Sequence, residues 1–171
     1  PDVRRHAADA LASLKDPASE GPLLRLAQGA PGQRARRIER LAALVALRGV
    51  LRGRRDREAR ETLEAILDSP DVSLSLGALD VLVAMRDPDS VARVRRLAKA
   101  PGLEFQQASL YALGDLGDAR VLPDLLAALD LDVDALSAAA AWSLGKVGDP
   151  TVLPALYEKI DHGAWATRIN A

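Results

Sequence analysis

The sequence has no cysteine in its 171 residues, only two histidines and only 3% aromatic residues. Without cysteine the chain can form no disulfide, no thiolate metal site and no cysteine nucleophile. The two histidines, His6 and His162, are too few for a three-histidine metal site. No apolar run approaches the roughly 20 residues that span a bilayer. We therefore expect no membrane span, no bound metal and no other cofactor.

What the sequence has in quantity is alanine, leucine and valine, within an apolar share of 49% and a charged share of 27%. These are mostly good helix formers, and this length can bury a core in one domain, so we expect an all-α fold. The sequence opens on Pro1 without a signal-like segment. We therefore expect an excerpt or a processed product of a cytoplasmic, bacterial protein.

The net charge of −1 hides an uneven distribution along the chain. Residues 1–57 hold 13 Lys and Arg against 6 Asp and Glu, whereas residues 58–171 hold 10 against 18. Such asymmetry can guide association with a partner but does not determine the fold.

A period of 31 residues organises most of the chain. It relates Asp56, Asp87, Asp118 and Asp149 to one another, and Asp16 fits with an extra nine residues. The same offset relates Leu113-Gly114 to Leu144-Gly145 and Tyr111 to Trp142. Apolar residues at helical spacing lie on both sides of each aspartate, so each period predicts two helices.

The residues between the two helices predict how one ends and the next begins. Gly117 and Gly148 suit the left-handed conformation that terminates a helix, and the aspartate that follows each suits an N-cap. Catalysis needs one convergent pair of carboxylates, while a cap is needed at every helix start. We therefore interpret the periodic aspartates as caps rather than as acids or bases.

Residues 112–129, Ala-Leu-Gly-Asp-Leu-Gly-Asp-Ala-Arg-Val-Leu-Pro-Asp-Leu-Leu-Ala-Ala-Leu, and residues 143–156 resemble the HEAT-like repeat that also occurs in phycobilisome lyases. The resemblance implies a right-handed α-solenoid of about five two-helix repeats, with first helices on a convex layer and second helices on a concave one. The function that we expect, from the surface of the second helices described below, is a non-catalytic scaffold or regulatory module for protein–protein interaction. The resemblance itself is specific for the architecture and implies, as the alternative, a bilin lyase or isomerase.

We expect residues 1–171 to form a single HEAT-like repeat domain with a truncated sixth repeat. The predicted repeats are 2–30, 33–69, 71–100, 102–131 and 133–161, followed by a partial repeat at 162–171. Because solenoid ends normally carry a polar cap, more chain or a partner should cover this C-terminal end.

The second helices predict a mixed surface that suits a protein or peptide partner of unknown identity. With Val94 and Leu97 inward, a helical wheel places on the concave face Arg25, Gln28, Arg60, Glu61, Glu64, Arg93, Arg96, Asp124 and Glu158, together with Ala127, Ala128 and Ala155. No nucleophile or metal cluster lies among these residues, so we expect no enzyme.

The segment from Arg48 to Arg55 is the least regular stretch and predicts an enlarged turn. Its arginines and the next one, Arg48, Arg52, Arg54, Arg55 and Arg57, could bind an anion such as phosphate. The interpretation that we favour is a solvated face, partly paired with Glu58, Glu61 and Glu64. No aromatic residues interleave with the arginines, which disfavours nucleic acid as a ligand.

Tyr111 and Trp142 occupy equivalent positions in adjacent repeats, so their side chains should lie side by side. Packing within the layer of first helices is the favoured interpretation, and an exposed recognition patch is the alternative.

Overall fold

The computed structural model describes residues 2–14, 16–29, 37–162 and 169 of the chain. Within these residues the fold is all-α, as predicted, and no strand occurs. The helices are α1 (Asp2–Leu14), α2 (Glu20–Gln28), α3 (Arg37–Val50), α4 (Arg57–Leu67), α5 (Val72–Met85), α6 (Val91–Leu97), α7 (Leu103–Leu116), α8 (Leu122–Leu129), α9 (Asp134–Val147) and α10 (Leu153–His162). Odd-numbered helices are the first helices of the predicted repeats and even-numbered helices are the second ones.

The periodic aspartates cap the second helices, which confirms the interpretation drawn from their spacing. Each Oδ1 accepts a hydrogen bond from a backbone N–H two or three residues ahead, at 2.9 to 3.1 Å: Asp16 from Ala18, Asp56 from Ala59, Asp87 from Asp89, Asp118 from Arg120 and Asp149 from Thr151. Four of these caps open a single 3-10 turn that leads into the α-helix: Pro17–Ser19, Pro88–Ser90, Ala119–Val121 and Pro150–Val152. Proline suits the first position of such a turn because the N–H that it lacks would have no partner there.

The first helices α7 and α9 end as the sequence predicts, on left-handed glycines. Gly117 has φ 67° and Gly148 has φ 74°. The equivalent residue after α5 is Arg86, which takes the same left-handed conformation at φ 54°. This conformation costs a residue with a Cβ roughly 1–2 kcal/mol, so Arg86 occupies a strained position.

The chain divides into two compact units, Pro1–Ser90 and Val91–Ala171. In the first unit, α1 packs on α3 and α3 packs on α5, while α2 and α4 pack against the first helices that follow them. Leucines fill the interior between these layers, with Leu23, Leu44, Leu47, Leu63, Leu74 and Leu82 almost fully buried. Each such side chain contributes about 1.5–3 kcal/mol relative to an exposed one.

In the second unit, α7 packs on α9, α6 packs on α7 and α8 packs on α9. First helices thus contact first helices, which is the packing of an α-solenoid. At the centre of this contact a Cβ on Gly114 would lie only 2.7 Å from the Cα of Ser143. The Ser143 hydroxyl donates a hydrogen bond of 2.8 Å to the Leu110 carbonyl. The absence of a side chain at Gly114 therefore lets the two helices approach this closely.

The expectation of an enlarged turn from Arg48 to Arg55 is wrong in its first three residues. Helix α3 continues through Arg48 to Val50, and the turn occupies residues 51–56. Leu47 and Val50 follow helical spacing and are both buried, so core packing extends the helix past Gly49. The predicted sixth repeat lies outside the described residues except for His162 and Ile169.

Candidate partner-binding face

Two positions of the second helices are open to solvent in a regular way. The ninth residue after each capping aspartate is exposed in every repeat: Arg25, Ala65, Arg96, Ala127 and Glu158. The fifth residue after the cap is exposed in the last four repeats: Glu61, Ala92, Pro123 and Pro154. We call these positions the open face of each unit: Arg25, Glu61 and Ala65 in the first unit, and Ala92, Arg96, Pro123, Ala127, Pro154 and Glu158 in the second.

The open face of the second unit combines small residues with charges of opposite sign. Alanine or proline occupies four of its six positions, and Arg96 and Glu158 occupy equivalent positions two repeats apart. Small side chains let a partner approach the helices closely. Among the described residues, Arg96 and Glu158 have no ion pair within the chain, so both are available for charge-assisted hydrogen bonds to a partner.

Asp124, predicted on the concave face, is tied to the preceding second helix. Its carboxylate contacts Arg95 Nε and, at 2.6 Å, Lys99 Nζ, and only 9% of its side chain is exposed. Burial alone would raise the pKa of Asp124, but hydrogen bonds and charge attraction from Lys99 and Arg95 outweigh it and hold the pKa below its usual value. Its interactions join successive repeats.

Several other predicted face residues also pair inside the protein. In the first unit Arg60 Nε lies 3.1 Å from Asp87 Oδ2, and its other nitrogens lie 3.6 Å from Glu64 and 3.8 Å from Asp89. Gln28 donates a hydrogen bond of 3.3 Å to the Thr62 hydroxyl. In the second unit Arg93 is half-buried and interacts with another group of the protein. Gln28 and Arg60 thus connect separate segments of the first unit as well as bordering the surface.

The two predicted face alanines that lie off the open face are less accessible. The expectation that Ala128 is exposed is wrong, because this side chain is buried beside Leu129 and Leu125 in the interior of the second unit. Ala155 is half-buried. A helical wheel treats a boundary residue as exposed, whereas packing of the neighbouring first helix covers it.

Three of the five predicted anion-binding arginines are held by carboxylates in the first unit. Arg48 pairs with Asp80 at 3.0 Å, Arg54 with Glu20 at 2.8 Å and Arg57 with Glu61 at 2.7 Å. Arg52 and Arg55 are exposed, and no side-chain hydrogen bond or ion pair joins either of them to a described residue. The turn therefore displays two uncompensated guanidinium groups.

Tyr111 and Trp142 lie side by side, as the period predicts. Their ring centroids are 5.2 Å apart at 80°, an edge-to-face contact, and both side chains are half-buried. Lys146 Nζ lies 5.1 Å from the Trp142 ring and 3.4 Å from Asp115. This geometry favours packing between first helices over a recognition patch.

The sequence pattern was not used to identify four exposed residues that lie at fixed distances from the capping aspartates: Ala65, Ala92, Pro123 and Pro154. Their distance from the capping aspartates was the available pattern, because residues at a fixed offset from equivalent caps fall on the same helix face.

Among the residues that the structure describes, no group of three or more metal-ligating side chains occurs. None of the helices in those ranges has the length and apolarity that crossing a membrane requires.

Comparison with protein families gives two matches. The family of HEAT repeats matches residues 60–141, and the PBS lyase HEAT-like repeat matches residues 3–29 and 138–162. No curated protein matches the chain. Both family matches concern the two-helix repeat itself.

Proposed function

Because the chain is a HEAT-like repeat protein, we propose that it acts as a scaffold or regulatory module that binds a protein partner on the open face of its second unit. HEAT repeats generally mediate protein–protein interaction. The observation that carries the proposal is the regular exposure of the same helix position in all five repeats, at Arg25, Ala65, Arg96, Ala127 and Glu158.

The composition of this face supports a protein as the ligand. Alanine and proline provide apolar contact area, while Arg96 and Glu158 provide charges of opposite sign for specific pairing. Non-obligate protein interfaces combine nonpolar area with a polar, solvent-accessible rim, and this face offers both. A nucleic acid would instead favour cations throughout, and the exposed Glu158 opposes it.

HEAT repeat scaffolds are typically non-catalytic, and we propose the same for this chain. The bilin lyase or isomerase alternative derives from the repeat resemblance alone, and no contact or distance in the described residues favours it. We propose further that the five repeats of residues 1–171 belong to one repeat domain of a cytoplasmic protein.

Site-specific photo-crosslinking tests the proposed binding face. A benzoylphenylalanine in place of Ala127 lies on the open face, while the same residue in place of Glu104 provides a control at an exposed position of the first helix α7. In cells of the source organism we expect one dominant protein adduct from position 127 and none from position 104. Equal adducts from both positions, or none from position 127, would contradict the proposal.

A further inference from the structure

The turn between α3 and α4, residues 51–56, is held in place on both sides. Leu51 is fully buried, and the Gly53 N–H donates a hydrogen bond of 2.8 Å to the Ala84 carbonyl near the end of α5. Arg54 reaches back to Glu20 on α2, and Asp56 caps α4. The backbone that carries Arg52 and Arg55 is therefore fixed before any ligand arrives, which reduces the entropy lost on binding.

Arg86 lies close in the chain to the point where this turn is anchored. It follows Ala84, which accepts the Gly53 hydrogen bond, by two residues. Arg86 is exposed, and its side chain makes no hydrogen bond or ion pair with a described residue. The anchoring bond thus holds the end of α5, two residues before Arg86, against the turn that carries Arg52 and Arg55.

The backbone of Arg86 gives an independent reason to consider this place functional. It is the one non-glycine residue with positive φ among those described, and glycine occupies its equivalents at Gly117 and Gly148. Glycine would relieve the strain without changing the course of the chain. Strained backbone conformations are concentrated at binding sites, where the function of the side chain outweighs the free energy that the strain costs.

We propose that Arg52, Arg55 and Arg86 form a docking site for a carboxylate-rich segment of a partner protein. This site is separate from the open face and depends on the proposed function only in that its ligand belongs to a protein. A guanidinium group donates two parallel hydrogen bonds to a carboxylate, so three such groups fit a short run of Asp or Glu side chains.

The surroundings favour an acidic peptide over a nucleic acid. The neighbouring cations Arg48, Arg54 and Arg57 are already neutralised by carboxylates of the chain. These neutralised arginines offer little to the further phosphates of an extended polyanion, and the exposed Glu58, three residues after Arg55, adds a negative charge that opposes one. A short acidic segment needs only the three free guanidinium groups.

The test measures binding of a fluorescent peptide of six glutamates to the whole chain at 0.15 M NaCl. The double variant Arg52→Gln/Arg55→Gln should weaken binding at least about tenfold. The matched control Arg48→Gln/Arg57→Gln also removes two positive charges within the same region, but from arginines that already have partners, and should change the affinity by less than about threefold.

Arg86→Gly adds a readout that a purely structural role would not give. We expect this variant to raise the melting temperature and to weaken peptide binding by about tenfold, because it relieves backbone strain while removing one guanidinium. Unchanged peptide affinity in Arg86→Gly would overturn the three-arginine site. So would equal losses in the two double variants, or no binding to the wild type.

A 20-base-pair duplex serves as the competing ligand. Tighter binding of the duplex than of the peptide would assign the site to nucleic acid and overturn the proposal. The crosslink from position 127 separates the two hypotheses, because it requires the open face and none of the three arginines. If the wild type does not bind the peptide but still gives the crosslink from position 127, the arginine site is overturned and the proposed scaffold function is retained.

Discussion

Tyr111 and Trp142, 31 residues apart in the sequence, meet edge to face with their ring centroids 5.2 Å apart. One turn further along each helix, Asp115 and Lys146 repeat the same relationship at 3.4 Å. A single sequence offset therefore produces an aromatic contact and a charge contact between α7 and α9. The register between these two first helices is set by matched side-chain pairs as well as by burial.

A double-mutant cycle on Tyr111→Ala and Trp142→Ala should measure this contact. We expect a coupling energy of about 0.5–1.5 kcal/mol, which is typical of aromatic pairs beyond their buried area. The free energies of unfolding come from urea titrations of the wild type, the two single variants and the double variant. Purely additive effects would mean that the rings do not interact in solution.

Gly114 and Gly145 are equivalent by the period, yet substitution by alanine should change stability in opposite directions. A Cβ on Gly114 would lie 2.7 Å from the Ser143 Cα, whereas nothing lies within 4 Å of one on Gly145. Gly114→Ala should cost about 1–3 kcal/mol through overpacking. Gly145→Ala should gain about 0.5–1 kcal/mol, since alanine is the better helix former. Thermal unfolding of both variants gives the signs, and a shared sign would contradict the close approach of α7 and α9 at Gly114.

Asp124→Asn should reveal the ion pairs that join α8 to Arg95 on α6 and to Lys99 just after it. At pH 7 the variant should lose about 1–3 kcal/mol, because Arg95 and Lys99 lose their charged acceptor. Since folding lowers the pKa of Asp124, the carboxylate stabilises the protein fully above its unfolded pKa of about 3.9. The advantage of the wild type should then diminish as the pH falls through the folded pKa. Urea titrations at several pH values check this, and a difference that grows in acid would refute it.

Exchanging the residues at two helix ends tests the strain at Arg86. Arg86→Gly should raise the free energy of unfolding by up to about 1 kcal/mol, and Gly117→Arg should lower it by a similar amount. Both positions have a left-handed backbone, with φ 54° and 67°. Calorimetry on the two variants measures the effects, and destabilisation by Arg86→Gly would show that the arginine side chain stabilises the folded chain.

The helix pairs and caps were predictable because local chemistry determines them. Asp118 and Gly117 act through backbone groups two to four residues away, and the period repeats that chemistry. Helical periodicity likewise predicts Arg25, Arg96 and Glu158 as face residues, and all three side chains are exposed.

The contacts between repeats were not predictable in the same way. The Asp124 pairs join residues 25 and 29 positions apart, so they depend on side-chain rotamers and on the spacing of packed helices. The strain at Arg86 was equally hidden, because the sequence shows an arginine where the other repeats have glycine but does not show that the backbone stays left-handed there.

The proposed binding face is tested most directly by the affinity of the partner captured through position 127. Glu158→Lys reverses a charge on the open face, and Glu104→Lys makes the same change at an exposed glutamate on the first helix α7. We predict that Glu158→Lys weakens partner binding by at least about tenfold while Glu104→Lys changes it by less than about threefold. Equal affinities in the two variants would contradict the assignment of the partner to the open face.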